Sequence, residues 1–175
     1  MEEFNKNVFI NCPFDPSYRP LLMALVFAVI YLGYKPRLSF ERSNSAESRI
    51  DKIVGLFNES KFGIHDLSRM VSENENEHMR MNMPFELGID YGCKKLKGGV
   101  WEQKQLLVLD KERYRFQRSL SDLSGSDIKN HDNDAFKVIK AIREWFVSTD
   151  RLRNIPSHKK FGTFLTTFRL FCMIS

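Results

Sequence analysis

Four short runs rich in β-branched, aromatic or aliphatic residues, most followed by a segment long enough for a helix, constrain this 175-residue chain more than any other feature. They are residues 7–12 (NVFINC), 35–40 (KPRLSF), 62–66 (FGIHD) and 105–109 (QLLVL). Each has strand length and strand composition. Between the first two lies an apolar helix over 20–32, with Pro20 in its first turn and Gly33 after its end. Asn44-Ser45-Ala46-Glu47 reads as a capping box, with Asn44 as N-cap of a helix that runs to about Asn58. Its stripe is Ile50, Ile53, Val54 and Phe57. Residues 68–82 are polar and without apolar period, so they read as a long loop. Pro84 then opens a helix to about Lys95, residues 110–133 are irregular, and 135–147 form an amphipathic helix. Strands alternating with helices predict an α/β fold, a parallel sheet covered by helices through right-handed crossovers.

In such sheets ligands bind outside the carboxyl ends of the strands. Those ends carry Asn11-Cys12-Pro13-Phe14-Asp15, Glu41-Arg42-Ser43, Asp66-Leu67-Ser68-Arg69 and Asp110. The polar groups gather where the fold class expects a site. Common phosphate motifs are missing: there is no GxGxxG after the first strand and no GxxxxGK[ST] anywhere. Pro13 stands where a phosphate loop needs glycine. Scattered histidines without HExxH, and the lack of GxSxG, argue against a zinc site and a serine hydrolase. No cofactor is expected. Cys12 at the end of the first strand reads as a buried structural thiol.

The carboxylates are the stronger lead. Glu86 falls in Met83-Pro84-Phe85-Glu86-Leu87-Gly88, in the first turn of its helix. There an acid is favoured by the helix dipole by about 0.3–1 kcal/mol, so capping alone accounts for it. The functional reading is an ionised carboxylate that attacks a sugar C1′ or stabilises an oxocarbenium centre. Gly88 leaves room for a ligand or for a close helix–strand contact. Asp66 either caps a turn or has a catalytic part, holding a ribose hydroxyl or handling a proton for the departing base. Arg69 pairs with Asp66 or with a ligand phosphate, Arg49 is either solvated or a ligand contact, and Phe14 either packs in the core or stacks on a base.

The segments Val8-Phe9-Ile10-Asn11-Cys12-Pro13-Phe14-Asp15, Ile64-His65-Asp66-Leu67-Ser68-Arg69 and Asn82-Met83-Pro84-Phe85-Glu86-Leu87-Gly88 resemble a bacterial group related to nucleoside 2-deoxyribosyltransferases and TIR domains. The resemblance covers about residues 7–110. It implies a three-layer, flavodoxin-like fold, a catalytic role for Glu86 and a nucleoside-binding role for Asp66. Where the transferases carry Asp-Ser/Gly-Thr before the glutamate, this chain has Asn-Met-Pro-Phe. The resemblance therefore fits a deoxynucleoside, NAD as substrate, or a module that senses a nucleotide or self-assembles without cleaving anything. Asn11, Phe14, Asp15, Glu41, Arg49, Ser68, Arg69 and Asn82 complete the candidate binding set.

Charge locates the remaining feature. The net charge is +5, yet residues 151–175 hold five basic side chains and no acid, leaving 22 basic against 22 acidic residues before them. A domain over 1–150 and a basic, Phe-rich segment over 151–175 follow. In that segment Phe161, Phe164, Leu165, Phe168 and Phe171 suggest an amphipathic helix. Five charges over 25 residues make a weak nucleic-acid footprint, so docking or homo-oligomerisation is the expected role. The longest apolar run, 21–32, is too short for the ~20 residues of a membrane span. Three widely spaced cysteines fit a reduced, cytoplasmic setting.

Overall fold

The structure is a computed structural model, and it describes residues 2–41, 46–70, 81–115 and 128–153. A five-residue helix α1 (Glu2–Lys6) leads directly into β1 (Asn7–Asn11). Then come α2 (Arg19–Tyr31), β2 (Lys35–Arg37), α3 (Arg49–Asn58), β3 (Phe62–Asp66), α4 (Asn82–Leu96), β4 (Gln105–Asp110), β5 (Ile128–Asn130) and α5 (Ala135–Thr149). All four strand pairings are parallel, in the order β2-β1-β3-β4-β5. This is the flavodoxin-like arrangement of three layers, as predicted.

The two faces of the sheet have different chemistry. Val8, Ile10, Phe62, Ile64, Leu107 and Leu109 point to the side where α2 and α5 pack, and they meet Leu25, Val29, Ile139, Ile142 and Phe146. This layer is nearly pure hydrocarbon and aromatic. On the other side Phe9 packs on Ile53, Leu56 and Phe57 of α3, while Val108 packs with Leu87 of α4. That second layer also encloses Asn11, His65, Asp90 and Lys104, all buried.

Several boundaries differ from the sequence expectations for local reasons. β2 stops at Arg37, because Glu41 accepts hydrogen bonds from the Leu38 N–H and from Arg37 Nε (2.8 Å) and curls the chain into a 3-10 turn over Ser39–Glu41. α3 begins four residues later than the Asn44 reading. Its N-cap is Ser48, which accepts the Asp51 N–H at 3.2 Å and donates to the Asp51 carboxylate at 2.6 Å. Asp51 therefore takes the position assigned to Glu47, although its carboxylate accepts from the Ser48 hydroxyl rather than from the backbone N–H of the cap. α4 starts at Asn82, which puts Pro84 third in the helix; its missing N–H costs nothing there, since first-turn N–H groups have no intrahelical acceptor. The stretch 110–133 is not wholly irregular, because its end pairs as β5. The 71–80 part of the expected loop and the expected helix over 161–174 lie outside the described residues. Among the described residues no helix is long and apolar enough to cross a membrane.

Gly63 is the position where a strand must do without a side chain. A Cβ there would lie 2.5 Å from Asp90 Oδ2, 2.8 Å from Leu106 Cδ2 and 3.0 Å from His65 Nε2. Glycine in β3 makes room for the His65–Asp90 contact that crosses over it. Gly63→Ala is expected to cost about 1–3 kcal/mol, read as a drop in the chemical-denaturation midpoint at unchanged slope. Gly88 imposes no such demand, for a Cβ there meets nothing within 4 Å. The close helix–strand approach expected at Gly88 is made at Gly63 instead.

Candidate active site

The strand order reverses direction between β1 and β3. The chain leaves β1 over the α2 face and leaves β3 toward α4 on the opposite face, which opens a crevice at their carboxyl ends. A cleft of about 380 Å³ lies there. The turn Cys12-Pro13-Phe14-Asp15 forms one wall, Asn82 and Met83 at the start of α4 another, and Arg49 and Arg69 complete it. Phe14 is exposed and meets Phe40 edge-to-face at 5.6 Å. Asp15 caps the 3-10 turn after it, accepting the Tyr18 N–H at 3.1 Å, and Arg69 Nη2 lies 3.5 Å from its carboxylate. The turn is thus held rigid against Arg69.

Glu86 reaches this cleft through Arg49. It is the fifth residue of α4, two residues deeper than the sequence suggested, and α4 has no acid in its first turn. Its partner among the described residues is Arg49, whose Nη2 lies 2.9 Å from Glu86 Oε1. The Glu86 side chain is 3% exposed and that of Arg49 55%. The pair joins the starts of α3 and α4. Burial pushes the Glu86 carboxyl above the ordinary range, against the opposing pull of Arg49 and of His65. Glu86 stands beyond the first turn of α4, so first-turn capping does not account for its buried carboxylate.

Asp66 is placed differently. It is fully buried and does not line the cleft. Oδ1 accepts the Ser68 N–H at 2.8 Å; Oδ2 accepts the Tyr18 hydroxyl and lies 3.0 Å from His131 Nε2. The Asn133 N–H donates to His131 Nδ1 at 3.0 Å, so the His131 proton sits on Nε2, toward Asp66. Burial alone would raise the Asp66 carboxyl, but His131, Ser68 and Tyr18 outweigh it and hold it below its ordinary value. Asp66 ties α2, β3 and the end of β5 together beneath the site. Ser68 is buried with it, and its carbonyl accepts from Arg115 at 2.7 Å. Arg115 also pairs with Asp110, buried at the end of β4.

The structure therefore brings Phe14, Asp15, Arg49, Arg69 and Asn82 together on the cleft walls, with Glu86 behind Arg49. It sets Asp66 and Ser68 in the scaffold below. Glu41 belongs to the turn after β2 and takes no part in the cleft. Asn11 lies beside the cleft, where its Nδ2 is 3.2 Å from both the Met83 carbonyl and His65 Nδ1. Sequence reasoning missed Tyr18, His131, His65, Asp90 and Lys104. The one available signal was a histidine and an aspartate inside runs otherwise fit for burial, since buried polar groups need partners. Cys12 is buried as expected, and burial and the carboxylates of Asp66, Asp15 and Glu86 push its thiol well up. Among the described residues no group of three or more His, Cys, Asp and Glu is arranged to hold a metal ion. No protein-family model matches this chain, and no curated protein or solved structure matches it.

Proposed function

We propose that the protein cleaves or transfers an N-glycosidic bond of a nucleotide or nucleoside, with Glu86 as the catalytic residue. The observation that carries this reading is the state of Glu86: buried, beyond the first turn of α4, and partnered by a cleft-wall arginine. In the reaction a Glu86 oxygen bonds to C1′ as the C1′–N bond breaks, and the electron pair leaves on the base. Water or an acceptor base then attacks C1′ and frees the carboxylate. Arg49 favours the ionised form of Glu86 against the effect of burial in the resting protein and moves to the ligand's anionic groups on binding. Phe14 offers a stacking surface at the cleft edge.

The test is incubation with NAD and, separately, with 2′-deoxynucleosides, with free base measured by chromatography. Base release that is lost in Glu86→Gln supports the reading. Equal release by both proteins, or none from any substrate, sinks it.

A second prediction follows from the Arg49 contact. Because Arg49 lowers the Glu86 pKa, Arg49→Gln is expected to raise it further. Activity that needs ionised Glu86 then begins at higher pH, so the acid limb of the kcat/KM profile, which reports the free protein, moves up. An acid limb that stays in place would show that Arg49 does not act on the reacting carboxylate.

The same ion pair favours a second reading. An arginine seated on the carboxylate suits a module that binds a nucleotide phosphate at Arg49 and Arg69 and cleaves nothing. Saturable nucleotide binding without turnover would distinguish it.

A further inference from the structure

We propose that the outward face of α4 is a self-association surface, on which two copies of this chain pair about a two-fold axis with their α4 helices antiparallel. The proposal does not depend on what Glu86 does.

α4 buries Glu86, Leu87 and Asp90. At about 100° per residue, the opposite side of the helix carries Met81, its N-cap, then Phe85, Gly88, Gly92 and Leu96. A helix covering a sheet ordinarily turns charged and polar residues outward there. Here Met81 is 60% exposed, Phe85 61% and Leu96 87%. Tyr91 on the flank is exposed too, and Lys95 Nζ is drawn sideways over its ring, 5.6 Å from the centroid. The middle of the face therefore carries no charge. A Cβ at Gly88 or at Gly92 meets nothing within 4 Å, so both glycines are open notches between projecting side chains.

The order of projections and notches suits a second copy of the same face. A two-fold axis passing between Gly88 and Ile89 sets Phe85 of each copy level with Gly92 of the other, and Met81 level with Leu96. Each phenyl ring then enters the space that glycine leaves, once on either side of the axis. Met81 and Leu96 close the two ends. Such a face is complementary to itself, which is the condition for a two-fold contact. The area is also adequate. Met81, Phe85, Tyr91 and Leu96 expose on the order of 500 Å² on each copy, so pairing covers about 1,000 Å² in total, the lower limit for a specific interface. A reversible dimer follows rather than a permanent one. Asn82 and Met83 of the same helix line the cleft, so pairing brings the end of the second copy's α4 beside that wall.

The experiment is sedimentation velocity of the full chain over concentrations from about 1 to 500 µM. A monomer–dimer equilibrium with a Kd of about 1–100 µM is expected. Phe85→Glu, which puts a charge into the notch, and Gly92→Lys, which fills it, are each expected to weaken pairing about tenfold or more. The double variant tests the register, because it sets each new carboxylate against a new ammonium of the other copy. It is expected to pair about tenfold more tightly than either single variant. Both positions face outward, so thermal melts at low concentration should match the wild type and show that the variants fold. A chain that stays monomeric throughout overturns the proposal, and is what a face covered by this chain's own residues 151–175 would give. A dimer that neither single variant weakens overturns it as well, since another surface then pairs. So does a loss in the single variants that the double variant fails to recover.

Discussion

Glu86→Gln is expected to lose base release by about 10²–10⁴-fold while melting no lower than the wild type. The two halves of this result come from one cause. Glu86 is taken out of water with a single half-exposed arginine beside it, and burial raises its pKa. A carboxyl whose folded-state pKa is raised favours folding below its unfolded pKa and loses that contribution as pH rises through the folded value. At neutral pH the ionised group is therefore a cost to stability, and glutamine removes it while keeping the shape. Were Glu86 a helix cap, the same change would cost about 1 kcal/mol and leave any turnover intact. Thermal melts at neutral pH, run beside the base-release assay, separate the two cases. A clear fall in melting temperature with unchanged activity would refute the assignment.

Asp66→Ala is expected to act in the opposite sense, with the largest stability loss of any single change at the site, about 3–5 kcal/mol. It strands the Tyr18 hydroxyl, His131 Nε2 and the Ser68 N–H without their acceptor in a region closed to water. For a chain of this size that is a fall in melting temperature of about 10 °C or more. Its pH dependence also runs the other way. The Asp66 pKa is held below its ordinary value, so its contribution is present above the ordinary carboxylate range and is lost as pH falls through the lower folded-state value. Asp66→Asn should therefore flatten the acid side of the stability curve. If Asp66→Ala melts like the wild type but fails to bind nucleotide, Asp66 faces the ligand after all.

The contrast between these two acids shows what could be read from the sequence. Both stand at element ends, and on position alone they looked equivalent. The backbone frame was legible, because β1, β3 and most of β4 are buried on both faces and carry the continuous apolar pattern that such strands require. β5 was not, since three half-buried residues at a sheet edge have no apolar signature. The start of α3 was misplaced because Asn44-Ser45-Ala46-Glu47 and Ser48-Arg49-Ile50-Asp51 both fit a capping box; the structure caps α3 at Ser48, and Asn44 and Ser45 lie outside the described residues. Phe14, Asp15 and Arg69 lie on the cleft wall because a parallel sheet fixes where its strand ends gather, whereas Arg49, Asn82 and Glu86 stand at the starts of α3 and α4. The division of labour between Asp66 and Glu86 depends on Tyr18 and His131 arriving from distant parts of the chain. Lys104 was invisible for a further reason: lysine is almost never fully buried, so nothing in its surroundings in sequence marks it.

The unequal faces of the sheet carry a consequence for how such a chain can drift over generations. On the α2–α5 side, volume-conserving exchanges among aliphatic residues cost less than about 1.5 kcal/mol, so that layer can change one position at a time. On the α3–α4 side, the buried Asn11, His65, Asp90 and Lys104 are joined by polar contacts above a glycine that keeps space for them. A change in any one leaves a buried polar group stranded, and a side chain at Gly63 collides with the rest. In homologous chains these five positions are therefore expected to be kept or replaced as a block, while the opposite face varies freely.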